Sequence, residues 1–199
     1  AAEGKEKWRF PAGGKIWSTP TVANGVVYFG SLDHNLYAVT LEDGVKLWQF
    51  QTKGAITASP VIADGRVYVG SFDSVFYAID AATGSETWRF GGANNWYWGH
   101  AIVGQDTIYA PSLDGSIYAL EARTGRLRWT LTTDGPIVGS PAIVFDMIAV
   151  PSGDGKLWLA RLSDGSEQGV CNIGEDLRSS LIQQDGFIYF GARDLGSVD

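Results

Sequence analysis

The chain has 199 residues, 45% of them hydrophobic, 13% aromatic and 19% charged, enough apolar material for a packed core and not the composition of a disordered chain. Fifteen Lys and Arg against 22 Asp and Glu give a net charge of −7, the wrong sign for a nucleic-acid partner, whose phosphates need a basic face. No run approaches the ~18 consecutive apolar residues of a membrane span, so no transmembrane segment is expected. The single cysteine, Cys171, rules out an internal disulfide and leaves the redox compartment open. Ala1 is not followed by the charged and apolar regions of a signal peptide, so any such leader is expected to lie outside these residues.

The first strand-like phrase is EKWRF (6–10), with Trp8 and Phe10 on one face and Lys7 and Arg9 on the other, as the period of two requires. A short segment at Pro20 follows, then VYFGSLD (27–33), LYAVT (36–40) and KLWQF (46–50). The order then returns. A second cycle runs from Pro60 through VYVGSFD (67–73), FYAID (76–80) and ETWRF (86–90). In the third, Ala101 takes the proline slot before IYAPSLD (108–114), IYALE (117–121) and LRWTL (127–131). The fourth runs from Pro141 through IAVPSGD (148–154) and LWLAR (157–161), with Gly169 where a Trp is expected. A fifth begins at Leu181 and reaches IYFGARD (188–194).

The anchors keep strict time. Trp8, Trp48, Trp88 and Trp129 are spaced 40, 40 and 41, and Asp33, Asp73, Asp114, Asp154 and Asp194 are spaced 40, 41, 40 and 40. Asn24-Gly25, Asp64-Gly65 and Asp185-Gly186 supply the pair of positive φ angles that a two-residue hairpin demands. Asp114-Gly115 and Asp154-Gly155 are expected to do the same one hairpin later, and Gly44, Gly84, Gly125 and Gly165 to mark the third turn. With no helical period in any window, four strands per ~40 residues predict an all-β chain, a β-propeller of four-stranded antiparallel blades.

The phrase YVGSFDSVFYAIDAATGSETWRF (68–90) resembles the pyrroloquinoline-quinone-like repeat shared by quinoprotein alcohol dehydrogenases and BamB-type outer-membrane assembly lipoproteins. The resemblance covers nearly the whole chain as one domain, 1–199. It implies a ring of eight blades, of which this chain is a segment. The residues also admit a five-blade ring, in which EKWRF completes the last blade beside Phe187 and Tyr189 and removes an open edge. Each Trp is expected between neighbouring blades, next to the Tyr37, Tyr77 and Tyr118 series. Trp158 stands in that tyrosine slot and is expected to make up for Gly169.

The largest departure from the repeat is Asn94-Asn95-Trp96-Tyr97-Trp98-Gly99-His100, one residue longer than its siblings and leading into an innermost strand at the mouth of the central channel. Exposed Trp beside Asn suits stacking and hydrogen bonding to a ligand or partner; equally, such aromatics fill gaps between blades. The slots matching Trp98 hold Trp17, Thr57, Val138 and Arg178, a mixed ring that forms either a binding floor or an axial plug. The aspartates lie one blade apart, too far to converge on one ion, and read as turn residues. His34, His100 and a lone Cys make no zinc set, and no nucleophile elbow or phosphate loop is present.

The resemblance implies a non-catalytic, extracytoplasmic scaffold in the cell envelope that presents loop surfaces to a protein partner. Two alternatives remain: a segment of a quinoprotein dehydrogenase, and a ligand-binding or sensory propeller using residues 94–100. The dehydrogenase reading lacks the family's adjacent cysteine pair and its calcium and aspartate constellation. No catalytic residue, metal site or cofactor is therefore assigned.

Overall fold

A computed structural model describes residues 4–174 and 176–191. It contains eighteen strands and no helix, so among the described residues no helix is long and apolar enough to cross a membrane. Four complete blades follow one another. The first is β1 (Thr21–Ala23), β2 (Val26–Gly30), β3 (Asn35–Thr40) and β4 (Lys46–Gln51), and the second is β5 (Val61–Ala63), β6 (Arg66–Gly70), β7 (Phe76–Asp80) and β8 (Glu86–Phe90). The third is β9 (Ile102–Gly104), β10 (Thr107–Pro111), β11 (Ser116–Glu121) and β12 (Leu127–Thr132), and the fourth is β13 (Ala142–Val144), β14 (Met147–Pro151), β15 (Lys156–Arg161) and β16 (Glu167–Asn172). A hairpin of β17 (Ile182–Gln184) and β18 (Phe187–Tyr189) opens the fifth repeat. Within each blade the strands pair antiparallel in chain order. The short first strands meet at the axis: β1 touches β5, β5 touches β9, and β13 touches β17.

Turn chemistry explains the hairpins. Asn24-Gly25, Asp64-Gly65 and Asp185-Gly186 all have positive φ, between 47° and 81°, as a type I′ turn requires. The second hairpin differs from expectation. There only the residue after the aspartate is left-handed (His34, Ser74, Gly115 and Gly155), while Asp114 and Asp154 are not. The reason is that these aspartates are acceptors. Oδ1 of Asp33, Asp73, Asp114 and Asp154 takes the backbone N–H two residues on, at 2.9–3.0 Å. Oδ2 takes the Tyr37, Tyr77 and Tyr118 hydroxyls at 2.7–2.8 Å and the Trp158 indole at 3.0 Å. Asp194 and residues 195–199 lie outside the described residues.

The blades lock through one repeated device. The indole N–H of Trp8, Trp48, Trp88 and Trp129 donates to the carbonyl of Leu41, Ala81, Ala122 and Leu162 in the following repeat, at 2.9–3.0 Å. Each ring lies flat on the third-turn glycine of that repeat. A Cβ on Gly44, Gly84, Gly125 or Gly165 would come within 2.5–2.7 Å of ring carbons, and all four have φ of 70–73°. Trp48, Trp88 and Trp129 are buried as expected. Their own-blade ring partners, however, are Tyr28, Tyr68 and Tyr109 on the second strands, at 5.5–5.8 Å. The Tyr37, Tyr77 and Tyr118 series faces the preceding repeat and takes Phe10, Phe50 and Phe90 at 5.1–5.4 Å.

The same face logic corrects the reading of the fourth blade. Trp158 packs with Tyr109 and Trp129 toward the third blade, whereas Gly169 sits on the other side, so Trp158 makes up for nothing there. The exchange is across the strand pair instead. Trp48, Trp88 and Trp129 stand opposite Ala38, Ala78 and Ala119, while Gly169 stands opposite Leu159. Large and small have traded places at one cross-strand site.

Closure by residues 6–10 is not formed among the described residues. EKWRF is in no strand. Trp8 and Phe10 instead pack on Val27, Phe29, Tyr37 and Val39 of the first blade, in the manner of a fourth strand from a preceding blade. At the other end Tyr189 is 55% exposed and Phe187 66% exposed, whereas the matching Tyr28, Tyr68 and Tyr109 are buried against their tryptophans. Among the described residues no tryptophan covers Tyr189.

Candidate functional site

Antiparallel order fixes which loops share an end. The second hairpins of each blade and the loops between blades lie at one end of the strands, around the innermost strands' N-terminal mouths. Tyr97 is the first residue this arrangement settles. It fills the slot of Ile56, Ile137 and Leu177, all fully buried, and its Cβ presses on Gly70, where an added Cβ would come within 2.2 Å. Burial pushes its phenol pKa up, with the Tyr118 and Asp114 charges adding to the effect. Tyr97 is therefore a core residue between the second and third blades, closed off from solvent, and its buried hydroxyl has no hydrogen-bond partner among the described residues.

Because side chains alternate along extended chain, its neighbours Trp96 and Trp98 point out. Trp96 is 46% and Trp98 38% exposed. Both stack on Phe72, at ring distances of 4.5 and 5.5 Å and interplanar angles of 13° and 28°. Trp98 then meets Trp17 of the first repeat at 6.1 Å, and Trp17 is 57% exposed. Trp96, Phe72, Trp98 and Trp17 form one unbroken row of four rings drawn from three repeats. Sequence reasoning singled out three of them and missed Phe72. Its signal was there: the matching position holds Leu32, Leu113 and Gly153, so VYVGSFD is the only such phrase with an aromatic in that slot.

Asn94 and Asn95 open this loop, and both are exposed. The Asn94 backbone N–H donates to Asp114 Oδ2 at 2.8 Å, and Asn95 Oδ1 accepts the Trp96 backbone N–H at 2.8 Å. Asp114 thus fixes the loop's start, as Asp73 fixes Lys53 one blade earlier.

Beside the aromatic row, on the axis, lies a cavity of about 260 Å³ to which all five repeats contribute, through Thr19, Thr57, His100, Ser140 and Arg178 with Trp98 as one wall. Its hydroxyls clasp neighbouring repeats: Ser59 Oγ takes the Thr19 N–H at 2.9 Å, and Ser140 Oγ takes the His100 N–H at 3.1 Å. Ser140 Oγ also accepts from Ser180 Oγ at 3.1 Å and lies 2.7 Å from His100 Nδ1. With both lone pairs in use, Ser140 gives its own proton to Nδ1, which assigns the imidazole proton to Nε2. Burial holds the His100 pKa below its ordinary value, so the ring is neutral. Arg178 is held by Asp176, whose Oδ2 accepts from Nε at 2.6 Å. A larger cleft, about 580 Å³, opens at the opposite end between the third and fourth blades beside the exposed Phe145. There the Arg128 guanidinium is already closed on Asp106 at 2.6 and 2.9 Å.

Among the described residues no group of His, Cys, Asp and Glu is placed to hold a metal.

A family model described as outer membrane protein assembly factor BamB matches residues 1–71, 50–89 and 71–168. The chain belongs to the BamB family. The BamB of Moraxella catarrhalis superposes with a TM-score of 0.77 at 20% identity, covering 88% of this chain and 55% of that one. The computationally designed protein Ika8 gives 0.78 at 17% identity, with 87% and 54% covered. These likenesses share the propeller fold, and the chain spans a little over half the length of each structure. No curated protein matches it.

Proposed function

We propose that this BamB-type propeller is a non-catalytic scaffold of the cell envelope that binds a protein partner on the end bearing the channel mouth. The observation that carries the reading is the row Trp96–Phe72–Trp98–Trp17, whose three indoles remain 38–57% exposed. Soluble proteins do not leave contiguous large aromatics in water without use, and Trp dominates the energetic centres of protein interfaces. The rings are stiffened by stacking on one another, so little side-chain freedom is lost on docking. Family membership supports an outer-membrane or periplasmic setting.

The test is Trp17→Ser with Trp98→Ser in the full-length protein. Both side chains lie largely outside the core, so the melting temperature should stay within a few degrees of the parent's. Partners recovered with the parent should be lost. Retention of every partner at parental yield would refute the docking face.

A further inference from the structure

The axial cavity combines hydroxyls with an indole. Five of its ten lining residues are Ser or Thr, and Trp98 forms one wall. Its one basic lining residue, Arg178, already has Asp176 as counter-ion at 2.6 Å. Thr57 is the most telling member. It is 7% exposed, and its hydroxyl has no hydrogen-bond partner among the described residues. Buried hydroxyls are almost always satisfied, so an orphan at a cavity wall marks a place that something else completes. Two further donors are unused among the described residues. Ser59 Oγ accepts the Thr19 N–H but makes no bond with its own proton, and His100, with Nδ1 on Ser140, keeps its Nε2–H free. The main chain, by contrast, is engaged: the N–H groups of Thr19, His100 and Ser140 all donate to hydroxyls of the next repeat.

We infer that this cavity binds one uncharged pyranose ring of a sugar. Each hydroxyl of such a ring both donates and accepts, as Thr57 and Ser59 do in return. An apolar ligand would leave the Thr57 hydroxyl unsatisfied. The C–H groups on a pyranose face carry the partial positive charge that seats on the negative face of an indole. Trp98 supplies an indole at the wall, and Trp17, 6.1 Å from it and 57% exposed, a second beside it. An extended peptide would need a free row of backbone groups, and three of the N–H groups here are already given away. An anion would need a cation without a partner, and Arg178 has Asp176. A space of about 260 Å³ holds one ring and not an oligosaccharide. The site goes beyond partner docking and stands without it, since it needs only this chain's own residues.

The test titrates the full-length protein with the methyl β-glycosides of glucose, galactose and mannose, following the Trp98 indole N–H and the Thr57 methyl group by NMR. At least one should saturate at millimolar concentration. Cyclohexylmethanol, a ring stripped of its ring hydroxyls, should bind at least tenfold more weakly. Thr57→Val should weaken the preferred glycoside at least threefold and Trp98→Ser at least tenfold, each with an unchanged circular dichroism spectrum. A trisaccharide of the preferred sugar should bind within threefold of the single ring. Saturation by none of the three glycosides, equal binding of cyclohexylmethanol, or no effect of Thr57→Val overturns the assignment. Methyl glucuronide binding at least tenfold tighter than the glucoside would make this an anion site and overturn it too. A trisaccharide more than threefold tighter than the single ring overturns the one-ring occupant. A natural partner lost on Trp17→Ser with Trp98→Ser, in a protein that binds no glycoside, would leave the docking face standing and remove the sugar.

Discussion

The seat of each tryptophan on the next blade's glycine can be weighed by a double-mutant cycle at Trp88 and Gly125. Gly125 has φ of 72°, and an added Cβ would stand 2.5 Å from Trp88 Cε3. Gly125→Ala therefore carries two penalties: left-handed strain of ~1–2 kcal/mol and overpacking of ~1–3 kcal/mol. Gly25→Ala is the natural control, since φ is 75° there and nothing lies within 4 Å; it should carry the strain alone. Trp88→Ala should cost ~3–5 kcal/mol, as buried aromatic truncations do. Its lost indole bond adds little, because the Ala122 carbonyl keeps the Tyr68 hydroxyl at 3.0 Å. In the Trp88→Ala background the overpacking term vanishes, so adding Gly125→Ala should cost only the strain. Equilibrium urea unfolding of the four proteins would read a coupling of ~1–3 kcal/mol. Strict additivity, or a Gly125→Ala no costlier than Gly25→Ala, would refute the blade-locking argument.

Thr57→Val removes an orphan hydroxyl at nearly constant shape, so it should leave stability unchanged or raise it by ~1 kcal/mol; a loss above that would show the hydroxyl is satisfied. His100 ties pH to stability: its folded pKa lies below the ordinary value because of burial, so the unfolded chain binds the proton first. Stability contributed by the neutral ring is present above the ordinary imidazole pKa, near ~6.5, and is lost as pH falls from there until the folded ring also protonates. His100→Asn should flatten the stability profile between pH 7 and 5, and an unchanged slope would sink the reasoning. Protein mixed with pyrroloquinoline quinone and calcium should oxidise no alcohol or glucose in a dye-linked assay; quinone-dependent turnover would reverse the non-catalytic reading.

Most of the fold was legible because an aspartate and a third-turn glycine recur through the first four cycles, a tryptophan through the first three, and each has a fixed physical task. What misled was side. Trp158 read as compensation for Gly169 because both are aromatic-slot anomalies in one repeat, yet adjacent strands and alternating faces put them in different interfaces. Leu159 was the real counterpart, visible only once the register paired it with Gly169. At the site, Trp17, Trp98 and Arg178 shared a slot and so could be grouped from spacing, whereas Phe72 sits in another phrase on another blade. Tyr97 was invisible as core because its neighbours on both sides are exposed, and only its match to Ile56 and Ile137 reveals the buried direction.

The central claim, that the channel-mouth end is the docking face, is tested most directly by site-specific photo-crosslinking in cells producing the full-length protein. A photoreactive phenylalanine analogue is placed singly at Trp17, Trp96 or Trp98, and for contrast at Leu47 on an outer strand or Phe145 at the opposite end, both also exposed. The account predicts a discrete protein adduct of constant mass from the three tryptophan positions and none from the two controls. Adducts confined to Leu47 or Phe145 would contradict it.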